Sequence, residues 1–278
     1  LRAQYPLHSV KRSAPIMHRT RSRKTKEEVQ QIQNAIAITG KAFERVCGFV
    51  KPGVKEYAIE AEITHEFLRN GSRGHAYTPI IASGYNACVL HYITNDQVCN
   101  DGDVILMDFG CEYGGYASDL TRCVPVNGRF TKRQKDVYNA VWRVKNEATQ
   151  LLRPGTLMAD YHKQVGKIME SELIGLGLLD KNDVAKQDPE RPLYKKYFMH
   201  GTSHFLGLDV HDVGLWNEMI QPDMVFTVEP GIYIREEKLG IRLENNILVT
   251  RDAPIDLFAD IPVEADAVEE LMNRKAVV

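Results

Sequence analysis

The chain has 278 residues, enough for one large domain or two small ones with a substantial core. Apolar residues make up 44% and charged residues 26%, an ordinary soluble composition, and the formal net charge of −2 leaves no electrostatic footprint for nucleic acid or a membrane surface. Five widely spaced cysteines (Cys47, Cys88, Cys99, Cys111, Cys123), with no C-x-x-C pair, argue against a disulfide framework and for a reducing, cytoplasmic setting. No apolar run approaches the length of a membrane span.

The charge is unevenly spread. Residues 1–26 carry eight Lys or Arg and no acid. Residues 1–24 show no apolar period and read as a linker or the remnant of an upstream domain; a mitochondrial transit peptide is the alternative. Residues 25–278 form the domain proper. Thr25-Lys26-Glu27-Glu28 is a capping box opening a helix that places Val29, Ile32, Ile36, Phe43 and Val46 on one face and stops near Lys51-Pro52-Gly53. A second helix covers Glu56 to Leu68. Short strands are predicted over Tyr77 to Ala82 and Ala87 to Tyr92, about a turn at Ser83-Gly84-Tyr85-Asn86.

The segment DVILMDFGCEYGGYASDLT, Asp103 to Thr121, carries the first chemical signal. Val104 to Met107 reads as a buried strand and Tyr116 to Val124 as its partner. A two-residue loop at Tyr113-Gly114 would place Asp108 directly opposite Asp119. Paired side chains lie about 4.5–5.5 Å apart, where like charges destabilise a sheet. Two facing carboxylates in an apolar strand imply a cation between them.

Two helices follow, Lys132 to Leu152 and Met158 to Ile174, then a polar surface connection from Asp180 to Pro192. Strands are expected at Met224 to Val228, Ile232 to Ile234, Ile241 to Glu244 and Ile247 to Thr250. The order of two helices then strands therefore occurs twice, a coarse internal duplication. TVEPG (Thr227–Gly231) parallels MDFG (Met107–Gly110), and a symmetric hairpin centred at Glu236-Glu237 would set Glu229 opposite Glu244. Four converging carboxylates call for about two divalent cations, and such a shell suits hard to borderline ions such as Mn²⁺. Nitrogen is available from His200, His204 and His211, three of the nine histidines within twelve residues. Each feature has a blander reading alone: Asp108 as a turn residue, Glu229 as a strand-end charge, Glu244 as a partner of Arg242, a histidine as a hydrogen-bonded core residue. A kinase reading of D-F-G fails for lack of a Gly-rich loop and H-R-D.

MDFGCEYGGYASDLTR, HGTSHFLGLDVHDVG, TVEPGIYI and GIRLENN, in that order, make the chain resemble the pita-bread metallopeptidases, the family of methionine aminopeptidase, prolidase and aminopeptidase P, over about Thr25 to Thr250. It is most similar to catalytic domains of the bacterial Xaa-Pro aminopeptidase branch. The resemblance implies an α+β pita-bread fold, a pseudo-twofold repeat of helices packed on a curved antiparallel sheet. It implies two divalent ions, Mn²⁺ with Co²⁺ or Zn²⁺ as alternatives, held by Asp108, Asp119, His204, Glu229 and Glu244. Asp119 and Glu244 would bridge, Asp108 would hold one ion, and His204 and Glu229 the other. A hydroxide between the ions would be the nucleophile and Glu229 the proton shuttle. His91, His200 and His211 would orient the peptide and stabilise the oxyanion, Phe205 would help form the proline pocket, and Arg242 and Tyr233 would support the transition state.

The implied reaction is hydrolysis of the N-terminal Xaa-Pro bond of a peptide with proline second. Prolidase, acting on Xaa-Pro dipeptides, is the alternative; a non-catalytic pita-bread binding module is disfavoured by intact ligands at all five positions. Two departures stand out. Asn245-Asn246 replaces the D-D that often follows the ligand Glu in bacterial relatives. Only a linker-like stretch precedes Thr25, where relatives carry an N-terminal domain that supports homo-oligomerisation and shapes the substrate entrance.

Overall fold

A computed structural model describes residues 3–274; the outermost residues of the expected linker and of the expected domain lie outside these. The first helix, α1 (Ala14–Ser22), falls where only a linker was expected. Its stability is tertiary: Arg19 pairs with Glu218, Arg21 with Asp209 and Asp212, and just beyond it Arg23 pairs with Asp223 and Lys24 with Asp212. The basic start is thus neutralised by acids about 190 residues away in sequence, which no local pattern reveals.

The capping box is formed as expected. Thr25 Oγ1 accepts from Glu28 N at 3.2 Å and Glu28 Oε2 accepts from Thr25 N at 2.7 Å, opening α2 (Lys26–Phe49). Ile32, Ile36, Phe43 and Val46 of its apolar face are buried. The helix α3 (Glu56–Arg69) packs beside it, followed by β1 (Gly74–His75) and β2 (Ile80–Ser83). The strand expected at Ala87 to Tyr92 does not form: Gly84–Cys88 is a 3-10 turn, with Gly84 in the left-handed region at φ 58°. Of the residues that suggested a strand, Ala87 and Cys88 are buried, Leu90 and Tyr92 are half-buried and Val89 is exposed, with no alternation of faces.

β3 (Val104–Phe109) is central, paired with β2 on one side and β6 (Leu120–Pro125) on the other. Val104 and Leu106 enter the core beneath the second helix pair, and Ile105, Met107 and Phe109 enter the core beneath α2 and α3. Burial on both faces explains the uninterrupted apolar run. β4 (Cys111–Tyr113) and β5 (Tyr116–Ala117) close the hairpin.

The hairpin register differs from expectation by two residues. The loop is Gly114-Gly115, with Tyr113 opposite Tyr116 and Asp108 opposite Thr121. Both loop glycines have positive φ, 60° and 87°, which a tyrosine in the loop would adopt only at a cost. A slip of two leaves every side chain on its expected face. The expected second strand is also interrupted at Ser118-Asp119, between β5 and β6.

The second half repeats the pattern with α4 (Lys132–Leu151) and α5 (Met158–Gly175). The polar connection contains the short helix α6 (Lys181–Lys186). Then come β7 (Val225–Val228), β8 (Gly231–Ile234), β9 (Leu239–Arg242), β10 (Asn245–Leu248), β11 (Ile255–Asp256) and α7 (Ala265–Asn273), a final helix packed on α2. Here the register is as expected: Ile234 faces Leu239, Gly231 faces Arg242 and Asn245 faces Val228, so Glu229 and Glu244 oppose one another in the gap between two ladders. A bridge between Thr121 and Glu244 joins the halves. Arg122, wholly buried, pins that seam by donating to the carbonyls of Thr121, Glu244 and Pro262 at 3.0, 2.8 and 2.8 Å. Two helix pairs on joined antiparallel ladders constitute the pita-bread fold expected from the motifs. No helix among the described residues is long and apolar enough to cross a membrane.

Candidate active site

The seam is where the ladders are interrupted, and each interruption carries a carboxylate. Asp108 points from β3 on the face shared with Leu106, while Asp119 sits in the break before β6. The Tyr77 hydroxyl lies 2.6 Å from Asp108 Oδ1 and 2.6 Å from Asp119 Oδ1. A phenol has one proton, so it serves one carboxylate at a time and marks how closely the two converge. The Asp119 backbone is clamped by one amide: Asn246 Oδ1 accepts from Asp119 N at 3.1 Å and Asn246 Nδ2 donates to Asp119 O at 2.8 Å. That double contact gives the Asn245-Asn246 departure a physical meaning, because a carboxylate at position 246 has no N–H to donate.

From the second half, Glu244 Oε2 accepts from Thr121 Oγ1 at 2.6 Å, and Glu244 Oε1 is buried without a hydrogen-bond partner. Arg242 does not pair with Glu244. Its buried guanidinium donates to Asp108 Oδ2 at 2.6 Å, Tyr233 Oη at 2.9 Å and Thr121 Oγ1 at 3.2 Å. His204 Nδ1 contacts the Phe205 carbonyl at 2.9 Å, leaving Nε2 facing Asp119 Oδ2 at 3.4 Å and Glu229 Oε1 at 3.7 Å. A ring held through one nitrogen so that the other faces carboxylates is the orientation of a metal-ligating histidine. His211 stacks on His204 with ring centroids 3.9 Å apart. His200 Nε2 lies 2.8 Å from Tyr233 Oη and its Nδ1 2.7 Å from the Gly201 carbonyl.

Tyr77, Asp108, Asp119, Arg242, Glu244 and the histidines line one cavity of about 480 Å³, which Glu229 and His91 also line and whose apolar wall includes Leu90, Ile93 and Val210. Its electrostatics show an excess of negative charge. Burial raises Glu244 well above the usual carboxylate range, with Asp119, Glu229 and Asp108 adding to the effect. Burial likewise raises Asp108 despite the Arg242 contact, and pushes Glu229 up to about 7 against the pull of His204 and Arg242. For His204 burial acts downwards, but Asp119 and Glu229 outweigh it and the imidazole rises to about 9. His200 goes the other way, down to about 3, through burial and the nearby Arg242 cation. The cluster therefore holds protons where cationic charge is wanted. Asp119, His204 and Glu244 each offer a ligand atom within 4.8 Å of the others, and Glu244 Oε1 is buried with no hydrogen-bond donor to satisfy it. This oxygen-rich set with one imidazole fits a divalent cation.

Of the residues expected from sequence, Asp108, Asp119, His204, Glu229, Glu244, His91, His200, His211 and Arg242 all line the cavity. Phe205 and Tyr233 do not. Phe205 is buried against Phe226 and Trp216, and a side chain at Gly214 would strike its ring, so it is wall backing and not substrate surface. Tyr233 stands behind His200 and Arg242, its hydroxyl bonded to both and its buried ring edge-on to that of His200 at 5.5 Å. Tyr77, Thr121 and Asn246 were missed as site residues. Thr121 was traceable as the cross-strand neighbour of Asp108 once the register was right; nothing in the sequence around Tyr77 marks it.

A family model, Metallopeptidase family M24, matches residues 30–251. The Xaa-Pro aminopeptidase of Escherichia coli strain K12 is 41% identical over 93% of this chain and 61% of its own length. Mouse Xaa-Pro dipeptidase is 34% identical over 90% of this chain and 59% of its own length. The solved proline aminopeptidase P II from Yersinia pestis superposes with a TM-score of 0.86 at 40% identity, covering 94% of this chain and 62% of that one. The chain thus spans about three fifths of the length of these relatives. With the family model covering most of its residues and the paired carboxylates and histidine meeting at the seam of the two halves, this chain belongs to metallopeptidase family M24.

Proposed function

We propose that this chain is the catalytic domain of a dinuclear metal-dependent aminopeptidase that hydrolyses the N-terminal Xaa-Pro bond of peptides. The observation that carries the reading is the buried convergence of Asp119, His204 and Glu244, with Asp108 and Glu229 in the same cavity. Asp119 and Glu244 would bridge two ions, Asp108 would hold one, and His204 with Glu229 the other. Mn²⁺ is the first choice for so oxygen-rich a shell, with Co²⁺ or Zn²⁺ as alternatives. Divalent ions, when bound, polarise the scissile carbonyl and make a water molecule acidic near neutral pH.

The chain's own groups do the rest. Glu229, in the cavity beside His204, would take a proton from the attacking water and return it to the proline nitrogen, which carries no hydrogen of its own and leaves as an amine. His211, stacked on His204 at the cavity wall, faces the scissile bond as a donor to the developing oxyanion. His200 is kept neutral, its Nε2 against Tyr233, and shapes the leaving side. His91 lines the same cavity beside Leu90 and Ile93 and would contact the substrate. Arg242 fixes Asp108 and keeps the carboxylate cluster from being wholly anionic. Five free, buried cysteines suit action in the cytoplasm.

The dipeptidase reading is retained because mouse Xaa-Pro dipeptidase is also a relative of this chain. A tripeptide Xaa-Pro-Yaa and a dipeptide Xaa-Pro, each offered after chelation and reloading with Mn²⁺, Co²⁺ or Zn²⁺, separate the two. Preferential tripeptide cleavage supports the aminopeptidase. Cleavage of the dipeptide alone assigns the prolidase reading, and equal cleavage of Xaa-Ala and Xaa-Pro peptides overturns both.

A further inference from the structure

His91 is exposed, on a turn-rich connection between β2 and β3, yet its assigned place on the substrate side demands a fixed ring. What fixes that connection is a carboxylate outside the cavity. Glu56, in the first turn of α3, is wholly buried, and none of its hydrogen-bond donors is cationic. Its Oε1 accepts from Ser83 N at 2.8 Å and Asn86 Nδ2 at 3.2 Å, and its Oε2 accepts from Tyr92 Oη at 2.7 Å and Gln97 N at 2.9 Å. The four donors bracket the connection at both ends and at Tyr92, the neighbour of His91. The Glu56 backbone adds a fifth contact, its N–H donating to Gln97 O at 3.0 Å. Four side-chain acceptances need two oxygens with two lone pairs each, which an ionised carboxylate supplies and an amide does not. Burial of an anion without a cationic partner is tolerable only because every lone pair is used.

We infer that Glu56 is a positioning residue for the reaction, holding His91 at the cavity through the Tyr92 hydroxyl. This rests on the reading of His91 as a substrate-side group. Asn95, with φ 48°, fixes the far side of the same turn by accepting from Ile81 N at 2.9 Å and donating to Pro79 O at 3.0 Å. His91 is therefore held between two anchors and owes its placement to them.

The test uses the metal-loaded full chain. Glu56→Gln must break two of the four bonds and can unfold the connection, so Tyr92→Phe, which deletes only the hydroxyl, carries the experiment. Expected is a roughly three- to tenfold fall in kcat/KM for an Xaa-Pro-Yaa tripeptide, expressed mostly in KM, with metal content unchanged. In a His91→Ala background the same substitution should have less than about a twofold effect, because the residue it acts through is gone. Histidine-labelled NMR gives a second readout: the His91 ring resonance, assigned from His91→Ala, should shift or broaden in Tyr92→Phe while that of His200 holds. Multiplicative losses in the double variant, or an unmoved His91 resonance, overturn the inference. A silent His91→Ala with a moved resonance instead defeats the substrate-side reading of His91, and with it the claim that the anchor serves the reaction.

Discussion

Glu244→Gln should make the metal-free protein more stable at neutral pH while abolishing its response to metal. Glu244 is about 1% exposed, one oxygen lacks a partner, and its carboxyl is raised well above 4.5 by burial and by Asp119, Glu229 and Asp108. For an acid whose folded pKa is raised, the folded state binds more protons than the unfolded one above 4.5, so unfolding free energy falls as pH rises. Each pH unit by which the folded pKa exceeds 4.5 corresponds to about 1.36 kcal/mol, so whatever the size of the rise the cost at pH 7 is bounded by the roughly 2.5 units above 4.5, about 3.4 kcal/mol. Glutamine mimics the protonated carboxyl, keeps an oxygen for Thr121 and has no such cost. Relaxation of the site trims the gain to on the order of 1–3 kcal/mol, or roughly 2–6 °C in Tm for a chain of this size.

The assay is denaturant unfolding of chelated wild type and variant at pH 4.5 and 7, repeated with saturating Mn²⁺. The two proteins should be nearly equal at pH 4.5, and the variant should be the more stable at pH 7. Metal should reverse that order, because only the wild type gains binding free energy. A metal-free variant less stable than wild type at pH 7 would refute the argument that unrelieved carboxylate repulsion is stored at this seam.

Asp119→Ala should lose both ions, since a bridging ligand serves both; elemental analysis finding two retained ions contradicts the bridge. His211→Ala should lower kcat on the order of 10²-fold with both ions bound, whereas His200→Ala should act mainly on KM and proline preference; steady-state kinetics on Xaa-Pro and Xaa-Ala peptides separate the two. Asn246→Asp should destabilise the protein by about 1–3 kcal/mol and weaken metal binding, because the Asp119 carbonyl loses its donor and a further acid enters the seam; unchanged unfolding midpoint and metal affinity would count against the clamp. Lys24→Ala leaves the buried Asp212 with Arg21 alone and should cost about 2 kcal/mol, less than the usual loss for a broken buried pair; an unchanged unfolding midpoint would show that Arg21 suffices.

Legibility followed the range of the interactions. The α2 cap, the long helices and the Glu229–Glu244 register depend on neighbours within one element or one hairpin, so spacing alone located them. The first hairpin slipped by two because its loop was placed at Tyr113-Gly114, whereas the demand for two positive φ values moves it to Gly114-Gly115. The slip was harmless to the chemistry, since both carboxylates stayed on the facing side. Ala87 to Tyr92 failed for a different reason: its apolar residues suggested a strand, but its backbone closes in local turns, Val89 N donating to Asn86 O and Tyr92 N to Val89 O, at 2.9 and 3.2 Å. Phe205 shows the limit of reasoning by proximity in sequence. It adjoins His204 of the cavity, but successive side chains of extended backbone point to opposite faces, and its ring goes to the core.

The same contrast explains the start of the chain. Arg19, Arg21, Arg23 and Lys24 fall in a stretch, residues 1–26, that contains no acid, so locally they read as a solvated, linker-like run. In the fold they meet Glu218, Asp209, Asp212 and Asp223, all from the segment that supplies His204 and His211 or from the turn leading into β7. Asp212 follows His211 directly, donates its N–H to the Phe205 carbonyl at 2.9 Å and is itself buried, so the Lys24 and Arg21 cations bear on the loop that presents His211 to the cavity. The packing is close: a Cβ on Gly207 would come within 2.2 Å of an Asp212 oxygen and 2.9 Å of Lys24 Nζ. An acid buried there without cations would be costly, and the cations come from before the first capping box. The boundary suggested by composition at residue 25 is therefore not a boundary in the electrostatics, and the basic segment is part of what holds the second half together.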